Sequence, residues 1–163
     1  PIGPADLVTV AGDPEQPGSA RGDGLLLKEL TPDAVRAVVD VVTDERLAGV
    51  LGVIELRQLG GALGRPAPAG HGALASVEAG WAFFAGGSAP DATARDTVLS
   101  ALGEVRERLA PWTADQVLLN ASAGGIDPAA AFTPDTWERL QRVRDAYDPD
   151  RVILATHDGP PAA

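Results

Sequence analysis

Gly80-Trp81-Ala82-Phe83-Phe84-Ala85 is the stretch on which the fold turns. Within the strand expected over Ala79 to Gly87, it carries no charge and places apolar side chains at odd and even positions alike. Side chains alternate across a strand, so an apolar run of this kind has both faces covered and belongs inside a sheet. Residues 50–59 behave differently. There Val53, Glu55 and Arg57 alternate with Ile54 and Leu56, which predicts a strand with one polar and one apolar face. Three shorter candidates surround this pair. Asp6-Leu7-Val8-Thr9-Val10 alternates enough for one strand, Leu25 to Leu30 suits a short strand or the approach to a helix, and Gln116 to Ala121 makes another.

Helix signals fill the intervals. Thr31-Pro32-Asp33 supplies a capping hydroxyl, a proline suited to the first turn and a carboxylate for the positive end of the dipole. Val35, Val38, Val39 and Val42 follow at spacings of three and four and predict a buried face. The longest helix runs from about Asp91 to Leu109, with Val98, Ala101, Leu102, Val105 and Leu109 on one stripe and Pro111 beyond its end. Thr133-Pro134-Asp135 repeats the start signal, Trp137, Leu140, Val143 and Arg144 lead towards Tyr147, and Pro149 stops the helix. The order β, β, α, β, β, α, β, α predicts an α+β fold, a largely antiparallel sheet with helices packed on one face. The other face then needs a second layer, a ligand or a partner. Residues 1–23 are expected to be loop-rich with one short strand, the breakers between Gly12 and Gly24 forming a loop. Residues 24–147 form the main domain and 148–163 a tail.

A chain of 163 residues, 45% apolar, can bury a core as one domain. No run approaches the roughly 18–20 apolar residues of a membrane span, and the N-terminus has neither a basic segment nor an apolar signal core. Pro1 is not an ordinary initiator, so a processed, truncated or partial chain is expected. A net charge of −10 repels phosphates and anionic membranes, which argues against both as partners. The absence of cysteine excludes a disulfide framework, a thiol nucleophile and a zinc–thiolate site, and fits a cytoplasmic protein. Twelve of the thirteen basic residues are arginine, a bias of composition rather than of chemistry.

Candidate chemistry is sparse. Gly60-Gly61-Ala62-Leu63-Gly64-Arg65 follows a strand, where adjacent glycines serve a turn or the close approach of a ligand. It lacks the Gly-Lys-Ser/Thr of a phosphate loop and the spacing of a dinucleotide fingerprint. Glu55 and Arg57 share one strand face, either as a solvated pair or as a polar wall above a cavity. His71 and His157 have no metal-ligand spacing, and Ser122 has no neighbouring base. Trp81, Phe83 and Phe84 are assigned to the core rather than to a cofactor platform. Arg21-Gly22-Asp23 spells an adhesion tripeptide and is taken as chance.

Three phrases in this order resemble the C-terminal part of FAD-linked oxidases of the berberine-bridge-enzyme type. They are Glu55-Leu56-Arg57-Gln58-Leu59-Gly60-Gly61-Ala62 with Arg65-Pro66, the strand-like Val117-Leu118-Leu119-Asn120, and Arg142 to Ile153 with its Tyr147-Asp148-Pro149. The resemblance implies the second half of a substrate domain, an antiparallel lid over a flavin, followed by a tail that returns to the flavin domain. It covers about Asp6 to His157 and includes nothing like the flavin-binding half. It implies FAD as cofactor, bound mainly by a domain outside this chain, with Asn120, Gly60 and Gly61 near the cofactor and Glu55, Arg57 and Arg65 near a small-molecule substrate. The missing flavin half is the implied partner, and a homodimer is possible. Family members commonly read aromatic-x-Asn-aromatic around the asparagine. In that phrase Leu118 and Ala121 stand in the aromatic places, so no catalytic base is assigned. The implied activity is oxidation of an alcohol or amine carbon by hydride transfer to flavin, with this portion inactive alone. The competing expectation is a non-catalytic, ferredoxin-like α+β module that binds a small ligand or dimerises. A cofactor-free enzyme of that architecture ranks third, for want of a paired acid and base.

Overall fold

The computed structural model describes residues 3–6, 17–66, 70–122, 126–155 and 157. Three strands form the sheet, β1 (Ala20–Leu27), β2 (Val53–Gln58) and β3 (Trp81–Ser88). Their spatial order is β1-β3-β2, both neighbours running antiparallel to β3. The strand with two apolar faces is therefore the central one, as its composition requires. β1 and β2 run parallel to each other with β3 inserted between them, and the chain crosses from one to the other through helices α1 (Pro32–Thr43) and α2 (Glu45–Ala48). This is a split βαβ arrangement. Helix α3 (Ala92–Leu109) then packs back on β1 and β3, and α1 packs on α3. Helix α4 (Pro134–Tyr147) follows. The α+β class and the antiparallel sheet stand as expected.

The main core lies between the sheet and the helices. Leu25 and Leu27 of β1, Phe83 and Ala85 of β3, and Val98, Leu102, Val105 and Leu109 of α3 are buried there, with Ile54 packed against them. All five residues of the stripe predicted on α3 are buried. The reading of α1 needs correction. Val35, Val39 and Val42 are exposed, and the buried residues are Ala34 and Val41, flanked by half-buried Ala37 and Val38. Two apolar stripes overlap on this helix. The one with small side chains faces α3, because alanine lets two helices approach more closely than valine does.

Three further expectations change. The segment 12–24 is not all loop, since β1 begins at Ala20 and pairs along its whole length with β3, from Ala20 opposite Ser88 to Leu27 opposite Trp81. Gly22 and Gly24 are strand residues chosen for space. A Cβ on Gly22 would lie 2.5 Å from the Phe84 ring, and one on Gly24 would lie 2.6 Å from the Ala121 Cβ. Residues 116–121 do not form a strand. They lie over β1, where Ala121 meets Gly24, and end in a 3₁₀ turn, Leu119–Ala121. Gln116 takes over the anchoring, its Oε1 accepting from the Glu78 amide at 2.9 Å and its Nε2 reaching the carbonyls of Ser76 and Ala131. The third concerns the strand expected at residues 6–10. Asp6 ends a 3₁₀ turn, Pro4–Asp6, and Leu7 to Val10 lie outside the described residues.

The two predicted caps hold: Thr31 Oγ1 accepts from the Ala34 amide at 3.1 Å and Thr133 Oγ1 from Thr136 at 3.4 Å. Asp91 caps α3 in the same way, its Oδ1 accepting from Ala94 at 2.8 Å. After α4 the tail is clipped by Asp148, which is buried. Its carboxylate accepts from the amides of Val152 (2.8 Å) and Ile153 (3.1 Å), and Arg151 adopts φ +54° to close the turn. The clip leaves Val152, Ile153 and Leu154 facing solvent, together with Tyr147.

Candidate functional site

The sheet face opposite the helices carries the site. Alternation places Gly22, Gly24 and Leu26 of β1, Ala82, Phe84 and Gly86 of β3, and Val53, Glu55 and Arg57 of β2 on this side. One end of it is covered by a second, smaller core of Leu26, Val77 and Ala114, with Leu59, Ala79, Ala82 and Leu118 packed around them. Backbone bonds hold this cover to the edge of β1, with Ala114 N–H donating to Leu26 O at 2.7 Å and Lys28 N–H to Trp112 O at 2.9 Å. Beyond the cover lies a cleft of about 360 Å³. Its floor is β1 and β3 at Gly24 and Ala82. Phe84 stands at one end, Glu55, Arg57 and Leu59 form the β2 side, and Leu118, Asn120 and Ala121 form the opposite rim.

Glu55, Arg57 and Asn120, 65 residues apart at the extremes, thus line one cavity. Glu55 lies opposite Phe84 in the ladder and Arg57 opposite Ala82. Arg57 Nη2 and Glu55 Oε2 are paired across the strand face. Glu55 and Arg57 therefore supply one anion and one cation, the only charged side chains lining the cleft among the described residues. Asn120 is exposed on the rim, offering an amide that both donates and accepts.

Gly60, Gly61 and Arg65 stand apart from these residues and do not line the cleft. The two glycines answer to turn geometry. Gly61 sits at φ +54° and Gly60 at φ +153°, Leu63 N–H closes the turn on Gly60 O at 3.1 Å, and no atom lies within 4 Å of where either Cβ would be. Phe83 is in the main core, as assigned, whereas Trp81 is half-buried beside it and Phe84 lines the cleft on the other face. His71 is exposed. His157 brings the tail to the cleft rim, its Nε2 donating to the Leu119 carbonyl at 2.8 Å. Ser122 Oγ is buried without a hydrogen-bond partner among the described residues. The adhesion-like tripeptide is structural: Asp23 pairs with Arg106 and so ties β1 to α3.

Sequence reasoning missed the glycine bed of β1, the anchoring by Gln116 and the contact made by His157. The first left a signal, two glycines at spacing two, which alternation places on one strand face.

A second group of charges lies on the helix side. Arg108 bonds to Asp44 (2.7 Å) and to Glu104, and Arg46 bonds to Glu104 (2.9 Å) and Asp44 (3.2 Å). The Arg108 hydrogen bond holds the Asp44 carboxyl below its ordinary value of 3.8, and Arg46 followed by Arg108 holds Glu104 below 4.5. All four charges are matched, so the group pins the α1–α2 junction to α3. Among the described residues no three His, Asp or Glu side chains are placed to hold a metal ion, and no helix is long and apolar enough to cross a membrane.

No protein-family model matches the chain, and no curated protein matches its sequence. In three dimensions it is similar to a variant of BBE-like 1 from Physcomitrella patens, with a TM-score of 0.66 over 95% of this chain. The fold is BBE-like. At 11% identity the likeness is one of architecture, and the chain spans 33% of the length of that protein. Within the BBE-like fold the helices cover one sheet face, and the cleft occupies the other.

Proposed function

We propose that this chain is the substrate-side lid of an FAD-dependent oxidoreductase whose flavin is held by a further domain. The observation that carries the reading is the convergence of Glu55, Arg57 and Asn120 in one cleft on the helix-free face of a BBE-like sheet. The fit to a flavin is partial and specific. The cleft on the helix-free face, lined by Phe84 and the apolar Leu59, Ala82 and Leu118, suits a flat ring system laid against it. Among the described residues the cleft has no phosphate cradle, its single cation being paired with Glu55. The pyrophosphate end of the cofactor thus falls to the other domain.

Flavin, when bound, supplies the hydride acceptor that no side chain can provide. The residues of this chain bind and orient. Glu55 accepts a hydrogen bond from the hydroxyl or amine of the substrate, and Arg57 holds the Glu55 carboxylate in place. Asn120 fixes the substrate or ring edge from the opposite rim, and the apolar lining of Leu59, Ala82 and Leu118 displaces water from the reacting carbon. Ala121 offers no acid or base, so proton removal is assigned to a group outside the cleft rim.

The test uses the longer protein that contains this chain. Asn120→Ala is expected to lower turnover or flavin retention while the thermal transition stays in place. Unchanged kinetics and unchanged flavin absorbance would remove Asn120 from the site. A purified long form without any flavin absorbance would overturn the oxidoreductase reading. The cleft is assembled from this chain alone, and that favours a second reading: a ferredoxin-like module that binds a small ligand without catalysis.

A further inference from the structure

Phe84 has an unusual seat. It lies on the central strand, opposite Gly24 on one side and Glu55 on the other. Its ring does not stand up from the sheet. It leans diagonally along β3 and across β1, so that its Cζ and Cε2 atoms come within 2.5 and 2.9 Å of the place a Gly22 Cβ would take, and its Cε1 within 3.5 Å of that of Gly86. Gly22 and Gly86 face each other in the ladder. Two registered glycines thus make a bed in which the far edge of the ring sits at the height of a Cβ. A glycine within a strand weakens it and needs a compensating reason. Covering by a neighbouring aromatic is one such reason, and here it fixes the posture of a side chain that also lines the cleft.

We propose that Phe84, held down by Gly22 and Gly86, is the specificity-determining surface of the cleft and selects an uncharged planar ring over a puckered ring of the same skeleton. This rests on reading the cleft as a substrate site. The planar preference follows from a lowered aromatic ring that leaves room for a second flat ring beside or over it. Neutrality follows from the lining, whose one anion and one cation are already paired. A charged ligand finds no unpaired counter-ion among the described lining residues.

The test compares 2-naphthol with decahydro-2-naphthol, the same skeleton with its rings saturated, titrated into residues 1–163 with chemical shifts as readout. The wild-type chain is expected to prefer the planar probe by about two- to tenfold, the range that one aromatic pair supplies. Phe84→Leu keeps apolar volume, removes the flat face and should bring the ratio to about one. Gly22→Ala should prop the ring up and weaken both probes. Should that variant not fold, the Phe84→Leu ratio decides alone. Equal binding in the wild type, or an undiminished ratio in Phe84→Leu, overturns the proposal. Binding of neither probe at Phe84 and Asn120 overturns both it and the substrate-site reading. A planar preference in the chain alongside a flavin-free long form sinks the oxidase reading and leaves the role of Phe84 intact.

Discussion

Gly87 shows how closely this fold is fitted at single positions. Its neighbour across the gap is backbone. A Cβ there would lie 2.3 Å from the Val50 carbonyl oxygen and 3.0 Å from a Val98 methyl, where the turn before β2 meets the end of β3 under α3. Neither the carbonyl nor the strand can yield cheaply, so Gly87→Ala should cost about 1–3 kcal/mol. Urea denaturation measures it, and a change under about 0.5 kcal/mol, the range of an ordinary surface substitution, would mean that this approach is looser than it looks. Residue-scale legibility was uneven for a physical reason. Glu55 and Arg57 could be set on one strand face because charge and alternation show in the letters, while Asn120 was picked out only through the family resemblance. The work of Gly22, Gly24 and Gly87 depends on what lies across the sheet, and a glycine does not name its neighbour. Gln116 was opaque for the same reason, since its partners are 15 to 40 residues away.

At the scale of elements, helix and strand signals that are local came through, and those that depend on a choice of partner did not. The caps of α1, α3 and α4 are short-range hydrogen bonds, written in the threonines and aspartates that make them. The valines of α1 offered two stripes, and only α3 decides between them. Residues 116–121 have strand-forming side chains but no free ladder to join, because the edge of β1 near them is already taken by Trp112 and Ala114. The junction of α1 and α2 with α3 depends on ionisation. Asp44 and Glu104 have lowered folded-state pKa values, so their contribution to stability is present above their unfolded values of 3.8 and 4.5 and is lost as pH falls through the folded ones. A doubly neutralised variant, Asp44→Asn with Glu104→Gln, should melt below the wild type at pH 7, and the gap should close on acidification. A gap that persists unchanged once acid has protonated both carboxyls would show that the four charges contribute through packing rather than ionisation.

Across the whole molecule, the class and the place of the central strand were readable because that strand is apolar on both faces and its neighbour β2 on one. The layout of the cleft was half readable: the β2 wall is contiguous in sequence, and the opposite rim is placed by the segment that Gln116 anchors. The strand order has a consequence in time as well as in space. β2 is the last strand on its side among the described residues, and Leu59 N–H, just beyond it, points inward to Gly80 O at 2.8 Å. Counting back by twos, the amides of Glu55 and Arg57 also point inward, while those of Ile54, Leu56 and Gln58 point away. Deuterium should therefore enter this strand in an alternating rhythm, fast at Ile54, Leu56 and Gln58 and slow at Glu55 and Arg57, as mass spectrometry or NMR of the exchanging amides can record. A uniform rate along β2 would contradict the register. If the fast amides fall silent in a longer form of the protein, the clock will have recorded another strand closing the seam.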